Sequence, residues 1–276
     1  MSFALAYEVT PSAAATKTPR RSDAPGPGLP LVLLPAFPLD RTMWRASADA
    51  LRELVSTVLV DLPGLGASPL PDNGSPPCLD DAADGVAGVL DALGYPRVVL
   101  AGASMGGYVA MAFARRHPDR LAGLALVDTQ AGADTRAAAA NRERVAAAVS
   151  GPAGTRALLP MLEALLGPTS RHRRPEVVAR VKADLLAARV EGVTWSQRAM
   201  AERPDSGDTL SAISVPVAVV VGEEDAVTGV ELARSMQLLL KDVVLTVVPG
   251  AGHLTPLERP EEVARALVAL TLRVRP

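Results

Sequence analysis

The chain alternates between short apolar runs and longer stretches in which apolar residues recur every third or fourth position. Leu31–Leu34, Thr57–Val60, residues 98–100 and Leu121–Val127 are apolar runs of strand length. Unbroken runs of this kind fit strands covered on both faces, whereas a half-exposed strand alternates apolar with polar residues. Helical patterns lie between them at 44–54, Leu79–Leu93 and Met105–Arg116. Strand, helix and strand in repetition predict parallel βαβ units. The repetition breaks at Thr129, and from there to about Pro204 helical stretches rich in Ala, Arg and Leu dominate without a strand candidate. Strand patterns resume at 217–221 and Val243–Val248. A last helix is expected at 260–270, with Pro260 suited to its first position and Glu261 and Glu262 to the positive end of its dipole. Residues 3–9 read as an edge strand, and 10–28 have the Pro-, Ala-, Ser- and Gly-rich composition of an irregular loop. The expected fold class is α/β: a mostly parallel central sheet flanked by helices, with core at 1–128 and 206–276 and a helical insertion at 129–205.

One junction in this pattern carries chemistry. The run 98–100 leads into Gly102-Ala103-Ser104-Met105-Gly106-Gly107 and then a helix, so Ser104 falls where a strand turns sharply into a helix. That is the context a G-x-S-x-G nucleophile elbow requires. The turn needs small residues two before and two after the serine, and Gly102 and Gly106 meet that demand. The hydroxyl is then held proud of the sheet edge, with the Met105 N–H and the helix N-terminus aimed at any negative charge forming beside it.

A serine of this kind needs a base, and the chain has three histidines. His117 precedes Pro118 at a helix C-terminus, a position the dipole favours, and His172 sits in the basic run 171–174. His253 follows the strand-like Val243–Val248 in a glycine-rich loop, where sites at strand ends are built. The acid is expected between nucleophile and base. Glu223, Glu224 and Asp225 follow the run 217–221; Asp225 is the preferred candidate, and both glutamates remain open. A neutral imidazole takes the serine proton and later returns it, while a carboxylate holds its tautomer and stabilises the imidazolium. A second oxyanion donor is expected from the loop after the first central strand, 35–40. The Phe37 N–H is the candidate to pair with Met105, and Pro35 and Pro38, which have no N–H, narrow the choice.

Composition changes the picture by exclusion. At 276 residues and 49% hydrophobic content the chain fills a sizeable core, and with 3% aromatics that core must be built from Ala, Val and Leu. A formal net charge of −2 without a block of like charges argues against a nucleic-acid partner. The single cysteine, Cys78, excludes an internal disulfide and a thiolate metal cluster, and no metal or other cofactor is expected. No membrane association is expected: the start lacks a basic n-region and no apolar run reaches spanning length, so a cytoplasmic location is the default.

Taken with the turn 61–68 and the segments 34–44, 222–225 and 250–258, the elbow makes the chain resemble the α/β-hydrolase superfamily. The resemblance is to its small-lid branch, which contains 3-oxoadipate enol-lactonases, short-acyl carboxylesterases and cofactor-free haloperoxidases. It implies the α/β-hydrolase fold, a helical lid at 129–205 over Ser104, and cleavage of a small ester or lactone. One departure is Pro35-Ala36 where relatives carry His-Gly ahead of the oxyanion donor; another is Thr228-Gly229 after the acid, where proline is common. Trp195 and Met200 in the lid, with Trp44 and Leu254 near the catalytic loops, are candidate pocket residues, and ordinary packing explains each equally well. Perhydrolysis or acyl transfer by the same triad, or ligand binding without catalysis on this fold, are the alternatives. Acyl length and oligomeric state are not set by the sequence.

Overall fold

The computed structural model describes residues 4–13 and 29–274. Seven strands form one sheet: β1 (Tyr7–Thr10), β2 (Leu31–Leu34), β3 (Thr57–Val60), β4 (Val98–Ala103), β5 (Leu121–Val127), β6 (Val217–Gly222) and β7 (Val243–Val248). Their spatial order is β1-β3-β2-β4-β5-β6-β7, and β1 alone runs antiparallel to its neighbour. The edge-strand expectation at 3–9 is met by the shorter β1, while Phe3 and residues 14–28 of the expected loop lie outside the described residues.

Burial explains the sequence pattern. The central strands β2 to β6 are buried along their whole length, because helices cover both faces. β7 lies at the edge and is largely half-exposed. The crossovers use α1 (Arg45–Leu51), α2 (Leu79–Leu93) and α3 (Met105–Arg116) in the first half. Helix α2 ends in Gly94 at φ +70°, a left-handed cap that a side chain would strain. The core is built mainly of Leu, Val and Ala, with Trp44 and Phe113 its largest fully buried side chains.

Between β5 and β6 the chain is helical throughout: α4 (Arg136–Ser150), a 3-10 segment (Gly154–Met161) running into α5 (Leu162–Leu165), then α6 (Pro168–Arg173), α7 (Pro175–Ala187), α8 (Val190–Ala201) and α9 (Gly207–Ala212). Helices α4 and α8 pack on each other. After β6 comes the crossover helix α10 (Val230–Leu239), and after β7 the short α11 (Thr255–Glu258) and the long α12 (Pro260–Arg273). No helix among the described residues is long and apolar enough to cross a membrane.

The parallel arrangement has one consequence for function. The C-terminal ends of β4, β5, β6 and β7 open on the same edge of the sheet, where ligands of open α/β sheets bind. Ser104, Asp128, Asp225 and His253 follow those four strands in turn.

Candidate active site

Ser104 sits at φ +49° and ψ −112°, outside the regions an L-residue normally occupies. A residue held there costs roughly 1–3 kcal/mol, so its surroundings must impose the conformation. They do so by close packing. A Cβ on Gly102 would overlap the Gly106 carbonyl, and one on Gly106 would overlap the Leu34 carbonyl at the end of β2. The elbow is therefore pressed against the loop that carries Phe37. The Ser104 amide donates to Val127 O at 2.9 Å, and Thr129 Oγ1 donates to Ser104 O at 2.9 Å.

The structure brings Ser104, His253 and Asp225 into one hydrogen-bonded chain. His253 Nε2 lies 2.8 Å from Ser104 Oγ, and His253 Nδ1 lies 2.9 Å from Asp225 Oδ2. Asp225 Oδ1 accepts the amides of Val227 at 2.7 Å and Thr228 at 2.9 Å, and Oδ2 accepts the Thr228 hydroxyl at 2.9 Å. Burial alone would raise the pKa of this carboxyl. The hydrogen bond and charge of His253, with the Thr228 and Val227 amides, outweigh that and hold it below its ordinary value. The two glutamates face elsewhere: Glu223 accepts Gly250 N at 3.3 Å, and Glu224 accepts Thr169 N at 2.8 Å and its hydroxyl at 2.5 Å. Of the other histidines, His117 Nε2 lies 2.8 Å from Asp84 on the surface, and His172 Nδ1 lies 2.7 Å from Pro168 O.

Ser104 and His253 open into a cavity of about 140 Å³, whose wall includes Phe37 and Val227. Met105 opens α3, where first-turn amides have no acceptor within the helix. The helices inserted after β5 supply Arg142, Met161, Leu165, Gln197 and Met200 to the lining, and α3 supplies Tyr108.

Met200 is the one of the four candidate pocket residues that lines this cavity. Trp44 is fully buried, and its indole Nε1 donates to Leu34 O at 3.0 Å, bracing the strand end before the Phe37 loop. Leu254 is fully buried beside the histidine, with its amide on Glu258. Trp195 faces an outer groove with Leu70, Pro77 and Val190. None of these three side chains lines the cavity, and each is buried in packing, where removing an indole or leucine from water stabilises the fold. Arg142, Met161 and Gln197 are not legible in the sequence because they approach the serine only through the packing of helices distant in the chain, whereas Tyr108 lies one helical turn after Ser104 and that spacing is a signal for it.

A family model described as "Alpha/beta hydrolase family" matches residues 31–266. The chain belongs to that family. Among alpha/beta hydrolases it is 31% identical over 264 residues to a pimeloyl-[acyl-carrier protein] methyl ester esterase of Chromobacterium violaceum, covering 88% of this chain and 94% of the relative. It is 28% identical over 239 residues to 3-oxoadipate enol-lactonase 2 of Acinetobacter baylyi, with 84% of each chain covered. A solved thermophilic esterase from Thermogutta terrifontis, with malate bound, superposes with a TM-score of 0.89 at 38% identity, over 99% of this chain and 94% of that one. Its ester- and lactone-cleaving relatives make this alpha/beta hydrolase an esterase-type hydrolase in outline.

Proposed function

We propose that the protein hydrolyses a small carboxylic ester or lactone through an acyl-enzyme on Ser104. The observation that carries this reading is the 2.8 Å contact between His253 Nε2 and Ser104 Oγ, within the reach a general base needs. Ser104 Oγ attacks the carbonyl carbon while His253 Nε2 takes its proton. Asp225 on Nδ1 keeps the imidazole in the tautomer with Nε2 free and stabilises the imidazolium. The oxygen of the tetrahedral intermediate receives the amides of Met105 and Phe37, donors that together contribute a few kcal/mol at the transition state. Collapse expels the alkoxide, which leaves with the proton from His253. Water then enters, gives a proton to His253 and attacks the acyl carbon, and the second tetrahedral intermediate collapses to the carboxylic acid as His253 returns the proton to Ser104 Oγ.

In this reading the helices at 129–205 act as a lid. Met161, Leu165 and Met200 line the cavity from that side, and apolar side chains there strengthen the electrostatic contacts made beside them. The esterase and lactonase relatives support the reaction type.

A fluorophosphonate probe tests the reading. Wild-type protein should label stoichiometrically, Ser104→Ala should not, and turnover of p-nitrophenyl acetate should vanish in His253→Ala. Stoichiometric labelling of Ser104→Ala would exclude Ser104 as the nucleophile.

A further inference from the structure

The cavity beside Ser104 has a charged wall that ester hydrolysis does not require. Arg142 on α4 lines it, and among the described residues no acidic side chain does. Arg142 donates to Asp134 through Nε and, at 3.4 Å, through Nη2, and the same carboxylate receives Arg203 Nη1 at 2.5 Å. Two guanidiniums thus share one carboxylate, leaving the cluster with one positive charge in excess.

The two arginines differ in what remains free. The Arg203 side chain is 4% exposed and Asp134 2%, so both belong to the interior. Arg203 also donates to Met200 O at 2.9 Å and Gly132 O at 2.8 Å, and lies 4.0 Å over the Tyr108 ring. Its donors and its charge serve the packing of the insertion. The Arg142 side chain is 20% exposed. Its Nη1 has Gln197 Oε1 at 3.4 Å and Met200 Sδ at 3.3 Å, the first long for an N–H···O bond and the second a weak acceptor. Burial would raise the Asp134 pKa, but both guanidiniums hold it below its ordinary value, so it is saturated as a partner. The adjacent Glu143 turns outward to Arg198 at 3.0 Å and does not neutralise the cavity wall.

We propose that the preferred substrate is a short ester or lactone bearing a second, ionised carboxylate, which Arg142 binds in the cavity that holds Ser104. This rests on the hydrolytic reading and adds the substrate class. The size agrees: a cavity of about 140 Å³ suits a small ligand, roughly the size of benzene, so a carboxylate a few bonds from the scissile carbonyl reaches the wall. A guanidinium binds a carboxylate through short, charge-assisted bonds, which gives discrimination that the apolar remainder of the lining cannot. Binding removes no charge balance elsewhere, since Asp134 stays on Arg203.

The test compares monomethyl succinate with methyl 4-methylpentanoate, which has the same shape with an isopropyl group in place of the carboxylate. Wild-type kcat/KM should favour the anion by roughly tenfold or more, and Arg142→Gln should cut that ratio by about tenfold, with Arg142→Lys between them. A wild-type ratio at or below one, or a ratio that Arg142→Gln leaves intact, would overturn the proposal. A second readout does not need turnover: calorimetric titration of free succinate into Ser104→Ala protein, with and without Arg142→Gln. Binding that weakens by about tenfold on losing the guanidinium, and that weakens with added salt, supports the subsite. Succinate binding indifferent to Arg142 overturns it. Arg142-dependent binding in a protein that turns over no ester leaves the subsite standing and refutes the hydrolytic reading instead.

Discussion

Glu258 accepts a hydrogen bond from the Gly167 amide at 3.0 Å, joining the loop that carries His253 to the helical insertion. Its other oxygen accepts Gly252 N at 2.9 Å and Leu254 N at 3.2 Å, the amides on either side of the histidine. The His253 amide itself donates to Leu165 O at 3.1 Å. Gly167 and Gly252 approach so closely that a Cβ on either would overlap the other's main chain. One fully buried carboxylate therefore sets the height of the base loop against the insertion.

Removing it should be felt in stability and in catalysis together. Glu258→Ala strands three buried amides at about 1–3 kcal/mol for each that stays unsatisfied. At roughly 2–4 °C per kcal/mol the melting temperature should fall by about 6 °C or more. Glu258→Gln keeps one acceptor oxygen and should lose less. Because the loop positions His253, kcat measured well below the melting temperature should fall more than KM changes. Calorimetry and ester kinetics on the same samples check this, and an Ala variant as stable as wild type would contradict it.

The elbow is legible in the sequence because its determinants are local. Gly102 and Gly106 flank Ser104 within five residues, and the overlap that makes them obligatory arises inside the same turn and its neighbouring strand end. The strand ends are legible for a similar reason, since a run buried on both faces has no polar residue to spare. The choice among Glu223, Glu224 and Asp225 is not local. It is decided by Val227 and Thr228 folding back on Asp225, and by Thr169 in the insertion claiming Glu224. Whether Trp44 packs or lines a pocket is not local either, since it is decided by the indole reaching Leu34 O. Arg142 and Glu258 escape notice because their partners, Gln197 and Gly167, are brought to them only by the packing of the insertion.

Asp225 is expected to be the one carboxylate of its loop whose loss stops turnover. Asp225→Asn should lower kcat by about four orders of magnitude, since the amide favours the wrong tautomer of His253. Glu223→Gln should change kcat by less than about tenfold, because that side chain reaches only Gly250. The pKa of Asp225 is held below its ordinary value, so its ionised form stabilises the fold above roughly pH 4, and this is lost as pH falls through the folded value. The stability gap between wild type and Asp225→Asn should therefore shrink in acid. Denaturant midpoints across a pH series measure it, and a gap that grows in acid would be the wrong sign.

Asp128 behaves in the opposite sense. It is fully buried at the end of β5, with φ +46°, and bridges two loops: Oδ1 accepts Gly222 N at 3.1 Å, and Oδ2 accepts Thr255 N at 2.9 Å and its hydroxyl at 2.7 Å. Burial first, and then the charge of Asp225, push its pKa well above the ordinary value against the pull of the Thr255 and Gly222 bonds. The folded protein then holds a proton that the unfolded chain releases at roughly pH 4, so between that pH and the raised folded value stability falls as pH rises. Asp128→Asn has no proton to lose. Its stability curve should lack that decline, and the gap from wild type should narrow as pH rises. Urea unfolding from about pH 4.5 to about pH 8 reads this directly, and a constant or widening gap would refute it. The two carboxylates also oppose each other, so in an Asp225→Asn background the Asp128-dependent decline should end at lower pH, because one of the two causes of its raised pKa has been removed.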